Sequence, residues 1–143
     1  MRKPSFLVQW DAVRHTHDDL LVAAVAALIT LSNVYDLIPE PTVTIEGTVT
    51  CANSAEVVCI YINSDRGQDG NAERIPTSRL HVARYRHRLA KGTAFKIGVG
   101  CGGSPGRWKD SISSTSVPAG DHDFVCYDGR ENAHPKVCVS VDG

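Results

Sequence analysis

The chain has 143 residues, a formal net charge of -1 and 42% hydrophobic residues. This length favours one compact domain with a tail. The near-neutral charge provides no whole-molecule field that would attract a nucleic acid, so we predict no nucleic-acid partner.

An apolar stretch without charged residues, LLVAAVAALITLSNVY, runs from Leu20 to Tyr35. As a helix, its 16 residues would span about 24 Å, less than a hydrocarbon core of about 30 Å. A retained signal anchor, a cleaved signal peptide and a buried soluble helix are the three interpretations. No small-residue cleavage site follows the stretch, which favours a transmembrane signal-anchor helix over residues 20–38.

Charged residues and cysteines are distributed unevenly on the two sides of this stretch. Arg2, Lys3 and Arg14 precede it, whereas the first basic residue after it is Arg66. The positive-inside rule therefore predicts a cytoplasmic tail at residues 1–19 and an extracytoplasmic domain at residues 42–143. All five cysteines follow the stretch, as expected if this part of the chain meets an oxidising compartment. We predict a plasma-membrane protein held by one helix.

Two β-strands are predicted after the prolines at positions 39 and 41, the first of them directly after Pro41. Thr42 to Cys51 alternates, with Val43, Ile45, Val49 and Cys51 on one face. Glu56 to Asn63, EVVCIYIN, is a continuous apolar run of the kind found in interior strands. Cys59 lies within this run, so we predict a buried and inert thiol with a raised pKa.

Four further strands are predicted, and together with the first two they indicate an all-β domain. Leu80 to Leu89 and Thr93 to Cys101 form a hairpin, and the alternation in its second strand turns Cys101 toward the core. Gly102 to Trp108 is interpreted as a glycine-rich loop that leads into a Ser/Thr cluster. The last two strands cover Asp123 to Tyr127 and Lys136 to Val141.

The segments GTVTC, VVCIYI, VGCGGSPGRW, HDFVCYD and KVCV together resemble an uncharacterised β-module of actinobacterial membrane-anchored proteins. That module is similar to the transthyretin and carboxypeptidase-regulatory-like (prealbumin-like) sandwiches. The resemblance covers Thr42 to Val141 and implies a seven-strand Greek-key sandwich, usually an accessory or binding module without catalytic residues. It also implies disulfides between Cys51 and Cys101 and between Cys126 and Cys138, with Cys59 as the free thiol.

Basic and aromatic residues in the middle of the domain are the candidate ligand contacts. Arg84, Arg86 and Arg88 alternate along one predicted strand and so share one sheet face, with Lys96 nearby. This face would suit an anionic cell-wall polymer or lipid headgroups, and the alternative is the solvated face of an ordinary strand. Trp108 is a candidate for stacking on a sugar, and the alternative is packing beneath its own loop.

Motifs of known catalytic and metal sites are absent from the sequence. It contains no H-E-x-x-H, no G-x-S-x-G and no cysteine pair with metal-ligand spacing. We therefore predict no catalytic residue, no metal and no cofactor. A membrane-anchored extracytoplasmic binding module is the preferred interpretation. A secreted soluble effector or inhibitor and a cysteine-dependent enzyme using Cys59 are the alternatives.

Overall fold

The computed structural model describes residues 38–130 and 134–142. These residues form ten strands and no helix. The strands are β1 Thr42–Cys51, β2 Val57–Ser64, β3 Gly70–Asn71, β4 Glu73–Pro76, β5 Val82–Ala90, β6 Ala94–Ser104, β7 Arg107–Ser113, β8 Val117–Pro118, β9 Phe124–Tyr127 and β10 Val137–Ser140.

The strands form two sheets. The first sheet has the order β10-β9-β1-β5-β4, and the second has the order β3-β2-β6-β7, with β8 also paired to β6. Neighbouring strands run antiparallel except β1 and β9, which are parallel. The prediction of an all-β domain is confirmed for the described residues.

The two sheets share one hydrophobic core. Strand alternation places Ile45 and Tyr85 of the first sheet and Ile60 and Ile97 of the second in the same buried cluster. The rings of Phe95, in the second sheet, and Phe124, in the first, meet edge to face with their centroids 6.4 Å apart. This is a sandwich-like arrangement, in which each sheet has one buried and one outer face.

Four of the five cysteines form disulfides, in the pairs that the resemblance implied. Cys51 of β1 is bonded to Cys101 of β6, which joins the first sheet to the second. Cys126 and Cys138 lie opposite each other on β9 and β10 and are also bonded. All four side chains are buried, so both bonds belong to the core.

The segment before β9 lies closely against β1. The backbone N–H groups of Glu46 and Thr48 donate to the carboxylates of Asp121 and Asp123, at 2.9 and 2.6 Å. Buried Tyr85 donates its hydroxyl to the His122 carbonyl at 2.8 Å, and burial raises the pKa of this phenol. These contacts hold the chain against the first sheet before the first paired residue of β9.

The loop interpretation of residues 102–108 is wrong. β6 continues to Ser104, a two-residue turn follows at Pro105 and Gly106, and β7 begins at Arg107. Gly106 has a φ of +82°, a conformation that glycine adopts without steric cost. The sequence of β7 is mainly polar and places Asp110 at a buried position, so it lacks the apolar alternation that predicts a strand.

The prediction that Cys59 is buried is also wrong. A β-bulge between Val57 and Cys59 shifts the register, so Val57 and Ile60 are buried while Cys59 is only half-buried. A continuous apolar run does not indicate which of its residues a bulge will turn outward. The predicted direction of the Cys59 pKa is correct, because partial burial raises it.

The predicted tail at residues 1–19 and the apolar stretch from Leu20 to Tyr35 lie outside the described residues. Within residues 38–130 and 134–142, no helix has the length and apolar character needed to cross a membrane.

Candidate functional site

Three predicted ligand residues line up on the outer face of the first sheet. Arg84, Arg86 and Arg88 alternate with inward-facing residues of β5, and all three are exposed. We call these three residues the arginine row. The row lies on β5, which pairs with β1 along its length and with the edge strand β4 from Ala83 to Arg86.

Two glutamates on the neighbouring strands partly neutralise the arginine row. Glu46 of β1 and Glu73 of β4 are both paired with Arg86 in the strand register. The Arg86 Nε lies 2.6 Å from Glu46 Oε1, and this contact raises the pKa of Arg86. Arg86 Nη1 also lies 3.8 Å from Glu73 Oε2, and Arg84 Nη2 lies 3.9 Å from Glu46 Oε2. Among the described residues, Arg88 has no such carboxylate partner, so the row retains a positive charge.

The other two predicted ligand residues, Lys96 and Trp108, lie on the outer face of the second sheet. There they line an open groove of about 260 Å³, together with Tyr61, Asn63, Ile97, Gly98, Ser111 and Ser113. We call this surface the β2–β6–β7 groove. It lies on a different sheet from the arginine row, so the five predicted residues do not form one site.

Glycines on β6 give the groove its depth. Gly98 lies between Tyr61 of β2 and Ser113 of β7, and the nearest atoms to a methyl group added at Gly98 would be 3.8 Å away. At Gly100, by contrast, an added methyl group would approach the Trp108 ring to 2.8 Å. The indole therefore packs on Gly100, while the surface above Gly98 is open.

The polar groups of the groove are one amide, two serine hydroxyls, the tyrosine phenol, the indole N–H and one ammonium group. Asn63 and Lys96 are paired residues on β2 and β6, and both are exposed. Ser111 and Ser113 are exposed on β7. None of the lining residues is acidic, and no carboxylate of the described residues lies within 4.0 Å of the Lys96 ammonium group.

Sequence reasoning missed Tyr61 and Asn63 as surface residues of a candidate site. They lie in the apolar run EVVCIYIN, which predicts burial on both faces, yet Tyr61 is 37% exposed. The signal that could have indicated them is the order Tyr61, Ile62, Asn63, which alternates once the bulge is passed.

Cys59 lies on the same outer face, opposite Gly100. Its thiol donates to the Asn71 side-chain oxygen at 3.5 Å, and its raised pKa favours the protonated form. These properties describe a weak nucleophile. Within the described ranges, no three His, Cys, Asp or Glu side chains are grouped so that they would hold a metal ion.

Comparison with known proteins found no matching family model, curated protein or solved structure.

Proposed function

We propose that this chain is an extracytoplasmic binding module held at the plasma membrane by an N-terminal signal anchor. The cytoplasmic tail would be residues 1–19, the anchor residues 20–38 and the binding domain residues 42–143. The observation that carries this proposal is the pair of buried disulfides. Disulfides form and persist outside the reducing cytosol, and the basic residues that precede the apolar stretch favour the same orientation.

The fold proposed for this domain is a Greek-key sandwich of the transthyretin type, preceded by one helix. The resemblance implied seven strands, whereas the described residues form ten, of which β3 and β8 have two residues each. Two sheets around one core and a disulfide between the sheets support this relationship. Modules of this architecture carry many unrelated functions, so the fold alone assigns no ligand.

The ligand proposed for the arginine row is an anionic polymer at the cell surface. Alternate residues of a strand are about 6.6 Å apart, and this repeated spacing suits a chain of negative charges better than one small ion. Glu46 and Glu73 limit the net charge of the row, so we expect moderate affinity and strong dependence on salt. Arg88 and the exposed part of Arg84 would provide most of the attraction.

The test is to measure binding of the full chain to poly(glycerol phosphate) and to vesicles that contain phosphatidylglycerol, at a series of salt concentrations. The variant R84S/R86S/R88S removes the row. Its matched control is R66S/R79S/R107S, which removes three exposed arginines located elsewhere. We expect the first variant to bind roughly tenfold more weakly at low salt and the control to bind within about twofold of the unaltered protein.

Equal losses in the two variants would show that binding reflects overall charge and would reject the arginine row. Polymer binding that is unaffected by salt would reject it as well. The proposed anchor would insert into vesicles equally in all variants, so the loss in R84S/R86S/R88S relative to its control, compared between polymer and vesicles, distinguishes a cell-wall ligand from lipid headgroups.

A further inference from the structure

We propose that the β2–β6–β7 groove binds a pyranose ring that carries a carboxylate, as in a polymer of uronic acids. This inference extends the proposed binding function but uses the opposite sheet from the arginine row. Either proposal can therefore be rejected by experiment while the other stands.

The floor of the groove offers no backbone groups for strand pairing. This floor is β6, which is hydrogen-bonded to β2 on one side and to β7 and β8 on the other. No free strand edge is available at Gly98, so an extended peptide cannot add to the sheet there. A ligand must be held by side chains that project from the sheet face.

Those side chains match the two kinds of surface that a sugar ring presents. A pyranose has faces of C–H groups, which pack on aromatic rings, and a rim of hydroxyl groups, which need donors and acceptors. Tyr61 and Trp108 provide aromatic surface at the groove. Asn63, Ser111 and Ser113 provide both donors and acceptors beside it.

The size of the groove limits the occupant to about one ring. Its volume of about 260 Å³ is slightly below the range of about 300–1,000 Å³ that is usual for drug-sized ligands. The groove is open along the sheet face, so neighbouring units of a polymer can continue beyond it. One ring would then lie above Gly98, where the structure leaves space for added atoms.

The charge of the groove selects an acidic sugar. Lys96 is the single charged residue among those that line the groove. Its ammonium group has no carboxylate partner within 4.0 Å among the described residues. One carboxylate per ring matches this single charge, and the sugar ring that carries it matches the aromatic and hydroxyl groups described above.

Binding can be followed through Trp108 in the full chain. Trp10 and Trp108 are its two tryptophans, so the W10F variant leaves Trp108 as the single indole. The protein is purified in a polyoxyethylene detergent, because a sugar-headed detergent would compete for the groove. It is titrated with hexagalacturonate, with the methyl ester of the same hexamer, which is uncharged, and with polyphosphate, which has charge but no sugar ring.

Two variants and one control test the site. G98V fills the floor of the groove, and its Cβ would meet no atom closer than 3.8 Å, so we expect the variant to fold. K96S removes the ammonium group. The control, T44V, replaces a hydroxyl with a methyl group and so places the same valine side chain at an exposed position on the outer face of the first sheet. Melting curves establish that all three variants are folded.

We expect hexagalacturonate to change Trp108 fluorescence and to bind about tenfold more tightly than its methyl ester. G98V should weaken the binding of hexagalacturonate and of its methyl ester at least about tenfold. K96S should weaken the binding of hexagalacturonate and leave that of the methyl ester unchanged. T44V should change neither affinity more than about twofold. The arginine row can also bind a polyanion, so only the change in Trp108 fluorescence counts as binding at the groove. Absence of a sugar-induced change, equal affinity of folded G98V and the unaltered protein by this signal, or a polyphosphate-induced change at concentrations as low as for hexagalacturonate would each overturn the proposal.

Discussion

Two glycines in the strands, one in β1 and one in β6, have different roles because their surroundings differ. Gly47 of β1 lies beneath the segment before β9, and a methyl group added there would meet the His122 carbonyl oxygen at 2.0 Å. Gly98 of β6 faces the open groove, where the same addition meets nothing closer than 3.8 Å. Gly47 therefore permits close packing of the backbone, whereas Gly98 leaves surface free for a ligand.

Cys59 provides a prediction at the scale of one residue. It is the single free thiol, it is half-buried, and burial raises its pKa above the ordinary value of 9.0. The thiolate is the reactive form, so its population below the pKa grows about tenfold for each pH unit. We expect iodoacetamide to label one site in the native protein, slowly at pH 7 and progressively faster up to and beyond pH 9.

Mass spectrometry of the non-reduced protein locates and counts the labelled sites. C59S is the control and should incorporate no label without denaturant. A labelling rate that stays constant between pH 7 and pH 9 would contradict the raised pKa. Label on any second cysteine of the native protein would contradict the disulfide pairing.

At the scale of the elements, the two disulfides stabilise different parts of the domain. The Cys51–Cys101 bond joins β1 to β6 across the core and spans 50 residues of sequence, whereas the Cys126–Cys138 bond joins adjacent strands and spans 12. In the chain-entropy model, closing the longer loop removes more freedom from the unfolded chain.

We expect the C51A/C101A variant to lose about 4 kcal/mol of unfolding free energy and C126A/C138A to lose about 3 kcal/mol. Guanidinium denaturation followed by circular dichroism measures both losses. The variants are made in a C59S background, so that the free thiol cannot exchange with the remaining bond. A larger loss for C126A/C138A than for C51A/C101A would contradict the loop-length argument.

Strand register also decides which side chains meet on the two outer faces of the domain. The register of β1, β4 and β5 brings Glu46 and Glu73 beside Arg86 and so reduces the charge of the arginine row. The register of β2, β6 and β7 brings Tyr61, Gly98 and Ser113 into one line on the other sheet. The β-bulge in β2 is necessary for this second alignment, because it sets which residues of that strand face outward.

For the whole molecule, the proposed topology predicts which part of the chain an external protease reaches. Protease added to intact cells should remove the domain at residues 42–143 and leave a fragment that contains the tail and the anchor. The same treatment after cell lysis, with a cytosolic marker protein followed in parallel, is the control. A full-length chain that is protected in intact cells and found in the cytosolic fraction would reject the extracytoplasmic location.

The sequence by itself determined the parts of this protein that depend on local periodicity. The alternation from Thr42 to Cys51 predicted β1 at its observed bounds, and the spacing of Arg84, Arg86 and Arg88 predicted a shared exposed face. Side chains two residues apart in a strand point the same way whatever the strand packs against, so these features can be read without knowledge of the fold.

Only the tertiary structure decided which distant residues meet. β7 was missed because its strand conformation depends on pairing with β6 and not on an apolar pattern of its own. The groove combines residues of β2, β6 and β7 that are far apart in sequence, and the outward position of Tyr61 depends on a bulge that the apolar run conceals. Strand pairing and register are long-range properties, and the same segment would present different residues to solvent in a different register.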